Sequence, residues 1–112
     1  MKQALVEKAQ KVEKGLPLIP PGEVLLEEFL CPMGLSQNQL ARSISVPPGR
    51  INDIIRGKRG ISCDTAARLA IFFGTSPDLW INLQARYDAK VAGREIVPAL
   101  IRKIRRHVKS AP

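Results

Sequence analysis

The sequence is poor in side chains that bind metals or form disulfides. Its 112 residues include two cysteines, Cys31 and Cys63, and one histidine, His107. The cysteines form no Cys-x-x-Cys pair and His107 has no ligand spacing to either, so we expect no metal and no cofactor. Two free thiols in a reducing compartment fit the usual compartment rule better than a disulfide, although the spacing alone leaves a disulfide open.

Long apolar runs are also missing, and aromatic residues are scarce. The longest apolar runs are interrupted within about six residues, whereas a helix that crosses a bilayer needs roughly 20, and nothing resembles a signal peptide. We therefore expect a cytoplasmic protein with no membrane partner. No carboxylate pair, nucleophile constellation or enzyme-type phosphate loop is visible, so we expect no enzyme. The length suits one small domain.

Positive charge is in excess and unevenly distributed. Eighteen Lys and Arg residues face ten Asp and Glu, giving a formal net charge of +8. Residues 36–60 contain five basic residues and one acid, and the chain from residue 94 onwards contains six and one. Because cations that neutralise phosphates release counterions, this distribution favours an anionic partner over a uniformly solvated basic surface.

The stretch Leu35 to Arg59 predicts two short helices joined by a tight turn. Ser36 and Gln39 form a capping box, so the first helix begins at Gln37. Pro47-Pro48 begins the second helix, because a proline in the first turn removes no helical hydrogen bond. The predicted buried positions are Leu40, Ala41, Ile44 and Val46 before the prolines, and Ile51, Ile54 and Ile55 after them. The second helix leaves to solvent Pro48, Gly49, Arg50, Asn52, Asp53 and Arg56.

This pair has the physical form of a helix-turn-helix. In that motif the second helix enters the major groove of DNA and the first crosses the backbone. An ordinary helical hairpin with a solvated face has the same apolar pattern, but the concentration of cations here favours DNA. The loop Gly57-Lys58-Arg59-Gly60 is then either a phosphate clamp or a solvated turn.

Three further helices flank this pair. One starts near Pro21 and is expected to stop at Pro32 and Gly34, and Ser62 begins another with a core stripe through Phe73. Ser76-Pro77-Asp78 begins the last. Its apolar residues exceed what one small core is expected to cover, which predicts a subunit interface, with simple packing against the preceding helix as the alternative. The interface prediction names Leu79, Trp80, Leu83 and Tyr87.

Both ends of the chain lie outside this pattern. Residues 1–19 form a predicted N-terminal extension, in which residues 1–15 are either a frayed helix or a disordered tail that orders only on a partner. An extended lead-in to the first helix follows from residue 16. Residues 93–112 form a predicted basic amphipathic helix, with its helical part from Glu95 to Lys109. Its apolar face suits a dimer contact, while its cations suit DNA flanks, an acidic protein or a membrane surface. Residues 20–92 form the predicted helix-turn-helix domain.

With its segments laid out, the chain resembles HigA-type antitoxins of the lambda-repressor-like, or Xre, helix-turn-helix class. The resemblance implies an all-α, five-helix domain with an extra C-terminal helix. It also implies a homodimer that binds palindromic operator DNA, represses its own operon and neutralises a HigB toxin, a RelE-like ribosome-dependent ribonuclease. The motifs that carry it are Pro21-Gly22-Glu23-Val24-Leu25, Gly34-Leu35-Ser36-Gln37-Asn38-Gln39-Leu40-Ala41, Ile51-Asn52, Arg56-Gly57-Lys58-Arg59-Gly60-Ile61, Phe72-Phe73-Gly74-Thr75-Ser76-Pro77 and Trp80-Ile81-Asn82-Leu83-Gln84.

The resemblance also implies site residues, position by position. Arg50 is the first choice for a guanine contact, and Asn52 for adenine or phosphate. Gly49 departs from relatives that have a larger polar residue there. The implied base-reading positions are Pro48, Gly49, Arg50, Asn52 and Asp53, and the backbone positions are Gln37, Asn38, Arg42, Arg56, Lys58 and Arg59. Two alternatives stay open: a solitary or phage-type repressor without a toxin, and a protein-binding inhibitor that has lost DNA recognition.

Overall fold

The computed structural model describes residues 18–107, and within that range all regular structure is helical. The predictions for residues 1–17, and for Val108 and Lys109 at the other end, lie outside the described residues. Five helices follow one another, as predicted. They are α1 (21–33), α2 (Gln37–Ser43), α3 (Pro48–Ile55), α4 (Cys63–Phe73) and α5 (Pro77–Val91).

Helix α1 differs from the prediction at Pro32, which does not stop it. The helix consists of Pro21–Val24, a π-helical stretch Leu25–Leu30 and a last turn Cys31–Met33. A proline inside a helix has no N–H to donate and its ring crowds the carbonyl four residues earlier. The wider π-helical turn, in which the Cys31 N–H bonds to the carbonyl of Leu26, lies directly before Pro32. The helix ends at Gly34, which has a left-handed backbone with φ of 64°.

The α2–turn–α3 unit has the predicted bounds. The Ser36 hydroxyl accepts from the Gln39 N–H at 3.0 Å and the Gln39 side chain accepts from the Ser36 N–H at 2.8 Å, which confirms the capping box. In the turn, Ser45 has a positive φ of 58° and Val46 points into the core. The positive φ was not predicted, because serine rarely adopts it.

An aromatic cluster joins α1, α4 and α5. The ring of Phe29 lies 4.9 Å from that of Phe73 and 4.8 Å from that of Trp80, measured between centroids. Trp80 has no exposed surface, and its indole N–H donates to the Thr75 hydroxyl at 3.0 Å. The few aromatic residues of the chain are thus concentrated where three helices meet, in an otherwise aliphatic core.

This packing corrects the interface prediction on α5 for three of its four residues. Leu79, Trp80 and Leu83 are buried in the core of their own chain, so they have almost no surface left for a second copy. Tyr87 alone among the four predicted interface residues is half-buried. The competing interpretation, packing of α5 against the preceding helix, is correct for Trp80, whose ring centroid lies 5.9 Å from that of Phe73 on α4.

The C-terminal part also differs from the prediction. Helix α5 continues through Gly93 without a break into a π-helical stretch, Ala92–Ile96, and a short α-helix, Val97–Leu100, which together we call the C-terminal extension. Within residues 18–107, helical structure therefore ends at Leu100, and residues 101–107, which were predicted to be helical, are not. The predicted apolar face consists of Ile96, Val97, Leu100, Ile101, Ile104 and Val108. The five of these that the structure describes are all exposed. Within residues 18–107, no helix has the length and apolar character that crossing a membrane requires.

Candidate nucleic-acid interface

Helix α3 presents one face to solvent and one to the core. Ile51 and Ile54 are buried, with 0% and 1% of their surface exposed, so they fix the rotation of the helix. The opposite face contains all five predicted base-reading positions. Pro48 and Gly49 are exposed, whereas Arg50, Asn52 and Asp53 are half-buried. Gln37 and Asp64 contact Asn52 and Arg50 from the side, while Pro48 and Gly49 are open to solvent, and a helix of this kind can enter the major groove.

The start of α2 contacts the middle of α3. The Asn52 amide donates to the Gln37 side-chain oxygen at 3.2 Å, across a separation of 15 residues. A side-chain pair of this kind holds a polar group of the first helix against the exposed face of the second. Gln37 is half-buried, and its neighbour Asn38 is exposed at the same helix end. The predicted contact residues Gln37 and Asn52 are therefore joined by a hydrogen bond between the two helices.

The loop after α3 folds back on the end of that helix. The backbone N–H groups of Lys58 and Arg59 donate to the Asp53 carbonyl at 2.8 and 3.2 Å, and Gly57 makes this possible with a φ of 75°. On the far side, the Gln84 side chain accepts from the Ile61 N–H at 2.8 Å. Both ends of the loop are thus held, and its two cations project from a defined backbone.

Four cations around α3 have no carboxylate partner among residues 18–107. One is on α2, one at the end of α3 and two in the loop, and all four side chains are exposed. An unpaired, exposed cation is available to an anion without first breaking an ion pair. These are four of the six predicted backbone-contact residues, namely Arg42, Arg56, Lys58 and Arg59.

Arg50 is different, because it faces a carboxylate. Its Nη1 lies 3.4 Å from Oδ2 of Asp64, in the first turn of α4. The same oxygen accepts from Nε of Arg68 at 2.9 Å. Nη1 of Arg68 donates in turn to the Ile44 carbonyl at 2.8 Å and to the Ser45 carbonyl at 3.3 Å. A continuous polar chain therefore runs from the helix-turn-helix turn, through α4, to the predicted base-reading arginine.

Sequence reasoning missed several supporting residues. Arg68 and Gln84 each bond to backbone 23 or 24 residues away, and no local pattern reports such a contact. Gln84 is part of the Trp-x-Asn-Leu-Gln motif, but the motif implied no role for it. Gly22 is a third case: a Cβ there would overlap the Ile54 carbonyl, so α1 and the end of α3 are in direct backbone contact.

No group of three His, Cys, Asp or Glu side chains among residues 18–107 is arranged to hold a metal ion. Cys31 and Cys63 are exposed free thiols.

Comparison with known proteins agrees with this geometry. A family model described as helix-turn-helix matches residues 26–80. Virulence-associated protein I of Dichelobacter nodosus is 50% identical over 80 residues, which are 71% of this chain and 74% of that protein. The chain belongs to this helix-turn-helix family, whose members are transcription regulators and antitoxins and not enzymes.

Solved structures narrow the class to HigA-type antitoxins. An addiction module antidote protein of the HigA family from Coxiella burnetii superposes with a TM-score of 0.72 at 40% identity, over 82% of this chain and 100% of that one. Pseudomonas aeruginosa antitoxin HigA, solved with the higBA promoter, gives 0.71 at 39% identity, over 83% and 97%. The resemblance predicted from the motifs and the all-α helix-turn-helix fold are thereby confirmed.

Proposed function

We propose that this protein is a DNA-binding antitoxin that binds its own operator as a dimer, represses its operon in the cytoplasm and neutralises a RelE-like ribonuclease toxin. The proposal of DNA binding is supported by the solvent-facing side of α3 and by the four exposed cations around it, which form no ion pair within residues 18–107. The similarity to an antitoxin solved with its promoter supports the same function.

In the proposed complex, α3 lies in the major groove of double-stranded operator DNA. Arg50 contacts a guanine and Asn52 contacts an adenine or a phosphate, with Gln37 held against Asn52. Pro48 and Gly49 approach the base edges without polar side chains, and Asp53 is available to accept from a cytosine amino group. The backbone contacts come from Gln37, Asn38, Arg42, Arg56, Lys58 and Arg59.

Two substitutions separate base reading from charge attraction. Arg50→Ala is expected to cost about 1–3 kcal/mol of operator affinity and to relax one base-pair position. Lys58→Ala is expected to weaken binding to all sequences alike and to reduce the slope of log K against log salt by about one. Fluorescence anisotropy with operator and scrambled duplexes over a salt series measures both effects. If both variants bind operator as the wild type does, α3 does not dock as proposed.

We also propose that the C-terminal extension supplies the dimer contact. Val97 and Leu100, three residues apart in this extension, are 51% and 39% exposed, and burying such an apolar face is favourable by about 25 cal/mol per Å². Leu100→Glu is then expected to shift the protein to monomer in sedimentation equilibrium. Ile71→Glu is the matched control, because Ile71 is 84% exposed at another place, on α4. Equal behaviour of the two variants contradicts this interface.

The proposal of a toxin partner is based on family membership alone, and co-expression tests it directly. The small protein encoded beside this chain is co-expressed with it. We expect the two proteins to co-purify, and we expect this chain to restore growth to cells that the neighbouring protein inhibits. A chain that binds operator but has no such neighbour is a solitary repressor. A chain that binds and inhibits the toxin but shows no operator selectivity is the protein-binding inhibitor.

A further inference from the structure

The predicted base-reading arginine is held before any DNA is present. Nη1 of Arg50 lies 3.4 Å from the Asp64 carboxylate, while the structure shows no partner for its Nε and Nη2 among residues 18–107. The side chain of Arg50 is 30% exposed. One edge of the guanidinium thus faces Asp64, and two nitrogens remain available for O6 and N7 of a guanine.

The carboxylate that faces Arg50 has a second cationic partner, and its side chain is 60% exposed. Oδ2 of Asp64 accepts from Nε of Arg68 at 2.9 Å, and the other end of that guanidinium donates to carbonyls in the α2–α3 turn. An exposed ion pair between two free side chains contributes little, because both must be ordered to form it. Here Asp64 also accepts from Arg68, which donates to two carbonyls of the turn, so Arg50 joins an existing group of contacts.

We propose that Asp64 is a positioning residue that selects the base read by Arg50. An arginine has several rotatable bonds, and ordering such a side chain on binding opposes association. A guanidinium already oriented by Asp64 meets one base-pair geometry, whereas a free one can turn to a phosphate or to another base. Asp64 therefore acts on discrimination between sequences.

The four unpaired cations provide a contrast on the same surface. Lys58 and Arg59, like Arg42 and Arg56, form no ion pair within residues 18–107, and a phosphate needs only a nearby charge. Among the predicted DNA-contacting cations within residues 18–107, Arg50 is the one with a carboxylate partner. It is also the one predicted to read a base, for which orientation matters most.

The inference rests on the proposed operator binding, so the experiment measures the ratio of the affinity for operator DNA to the affinity for an altered operator. This ratio in the wild type tests operator binding, and its change in Asp64→Ala tests the inference. Affinities are measured for operator DNA and for operators with single base-pair changes. The proteins are wild type, Asp64→Ala, Arg50→Ala and the double variant. A charge effect common to all sequences cancels in the ratio. Asp78→Ala is the matched control, because Asp78 is also a first-turn acid, on α5.

Arg50→Ala identifies the base pair that Arg50 reads. Asp64→Ala is expected to lower discrimination at that position by about fivefold, the lower end of what a bidentate contact supplies, and to leave other positions unchanged. In the Arg50→Ala background it is expected to have no further effect. Asp78→Ala is expected to match the wild type. If Asp64→Ala fails to fold, Asp64→Asn replaces it, since it keeps the shape and removes the charge.

Two results overturn the inference. One is wild-type discrimination in Asp64→Ala, and the other is an Asp64→Ala effect that persists without Arg50. A wild-type protein that does not distinguish operator from scrambled DNA overturns the proposed function as well. A readout without DNA is also available: the NMR signal of the Arg50 Nε–Hε group is expected to shift in Asp64→Ala and to stay in place in Asp78→Ala. An unchanged signal in Asp64→Ala likewise contradicts the positioning role.

Discussion

The tripeptide Pro-Pro-Gly occurs twice, at 20–22 and at 47–49, and the two copies allow a sharp test of how α1 holds α3. In each copy the first proline has an extended backbone before a helix, the second proline is the first helical residue and the glycine is the next. Local helix propensity is therefore the same for both glycines. Only their surroundings differ, so changing each glycine to alanine separates tertiary packing from local preference.

The surroundings predict effects of opposite sign. A Cβ at Gly22 would overlap the Ile54 carbonyl oxygen and lie 2.8 Å from the Ile55 Cα, whereas a Cβ at Gly49 would meet nothing within 4 Å. Gly49→Ala is expected to raise the free energy of unfolding by up to about 1 kcal/mol, because alanine is the better helix former. Gly22→Ala is expected to lower it by about 1–3 kcal/mol, because backbone must move to admit the methyl group.

Urea denaturation followed by circular dichroism measures both variants against the wild type. For a domain of this size each kcal/mol corresponds to a change in Tm of about 4–8 °C, so a thermal scan gives a second reading. The close approach of α1 to the end of α3 is refuted if Gly22→Ala has the same urea midpoint as Gly49→Ala. A fall in operator affinity for Gly22→Ala is a further expectation, since α3 would be displaced.

Two other substitutions test the supports of the interface. Ser45→Gly is expected to stabilise the fold by about 1 kcal/mol, because Ser45 has a left-handed backbone that glycine adopts freely; a lower urea midpoint would contradict this. Gln84→Ala is expected to cost about 1–3 kcal/mol of stability, because the Ile61 N–H loses its acceptor, and to weaken DNA binding through the Lys58 loop. An anisotropy titration identical to the wild type would show that Gln84 does not hold that loop.

Much of the fold was predictable because its signals act within one helical turn. The Ser36–Gln39 capping box, the first-turn prolines and the apolar spacing of Ile51 and Ile54 each concern neighbours three or four residues apart. The α3 face followed directly from them, since burying one side of a helix defines the other. The prediction that α1 stops at Pro32 was wrong. A π-helical stretch precedes Pro32, and the helix continues past this proline to Met33.

By itself the sequence determined where helices α2 to α5 begin, which side of α3 is apolar and where the cations lie. Tertiary structure alone decided what covers each apolar side chain: Trp80 became core, while Ile101 in the same C-terminal half stayed exposed. It also decided that Arg50 and Arg68 share the Asp64 oxygen. The physical reason is distance along the chain, because caps and periodicity act over a few residues, whereas packing and ion pairs join residues that only the complete fold brings together.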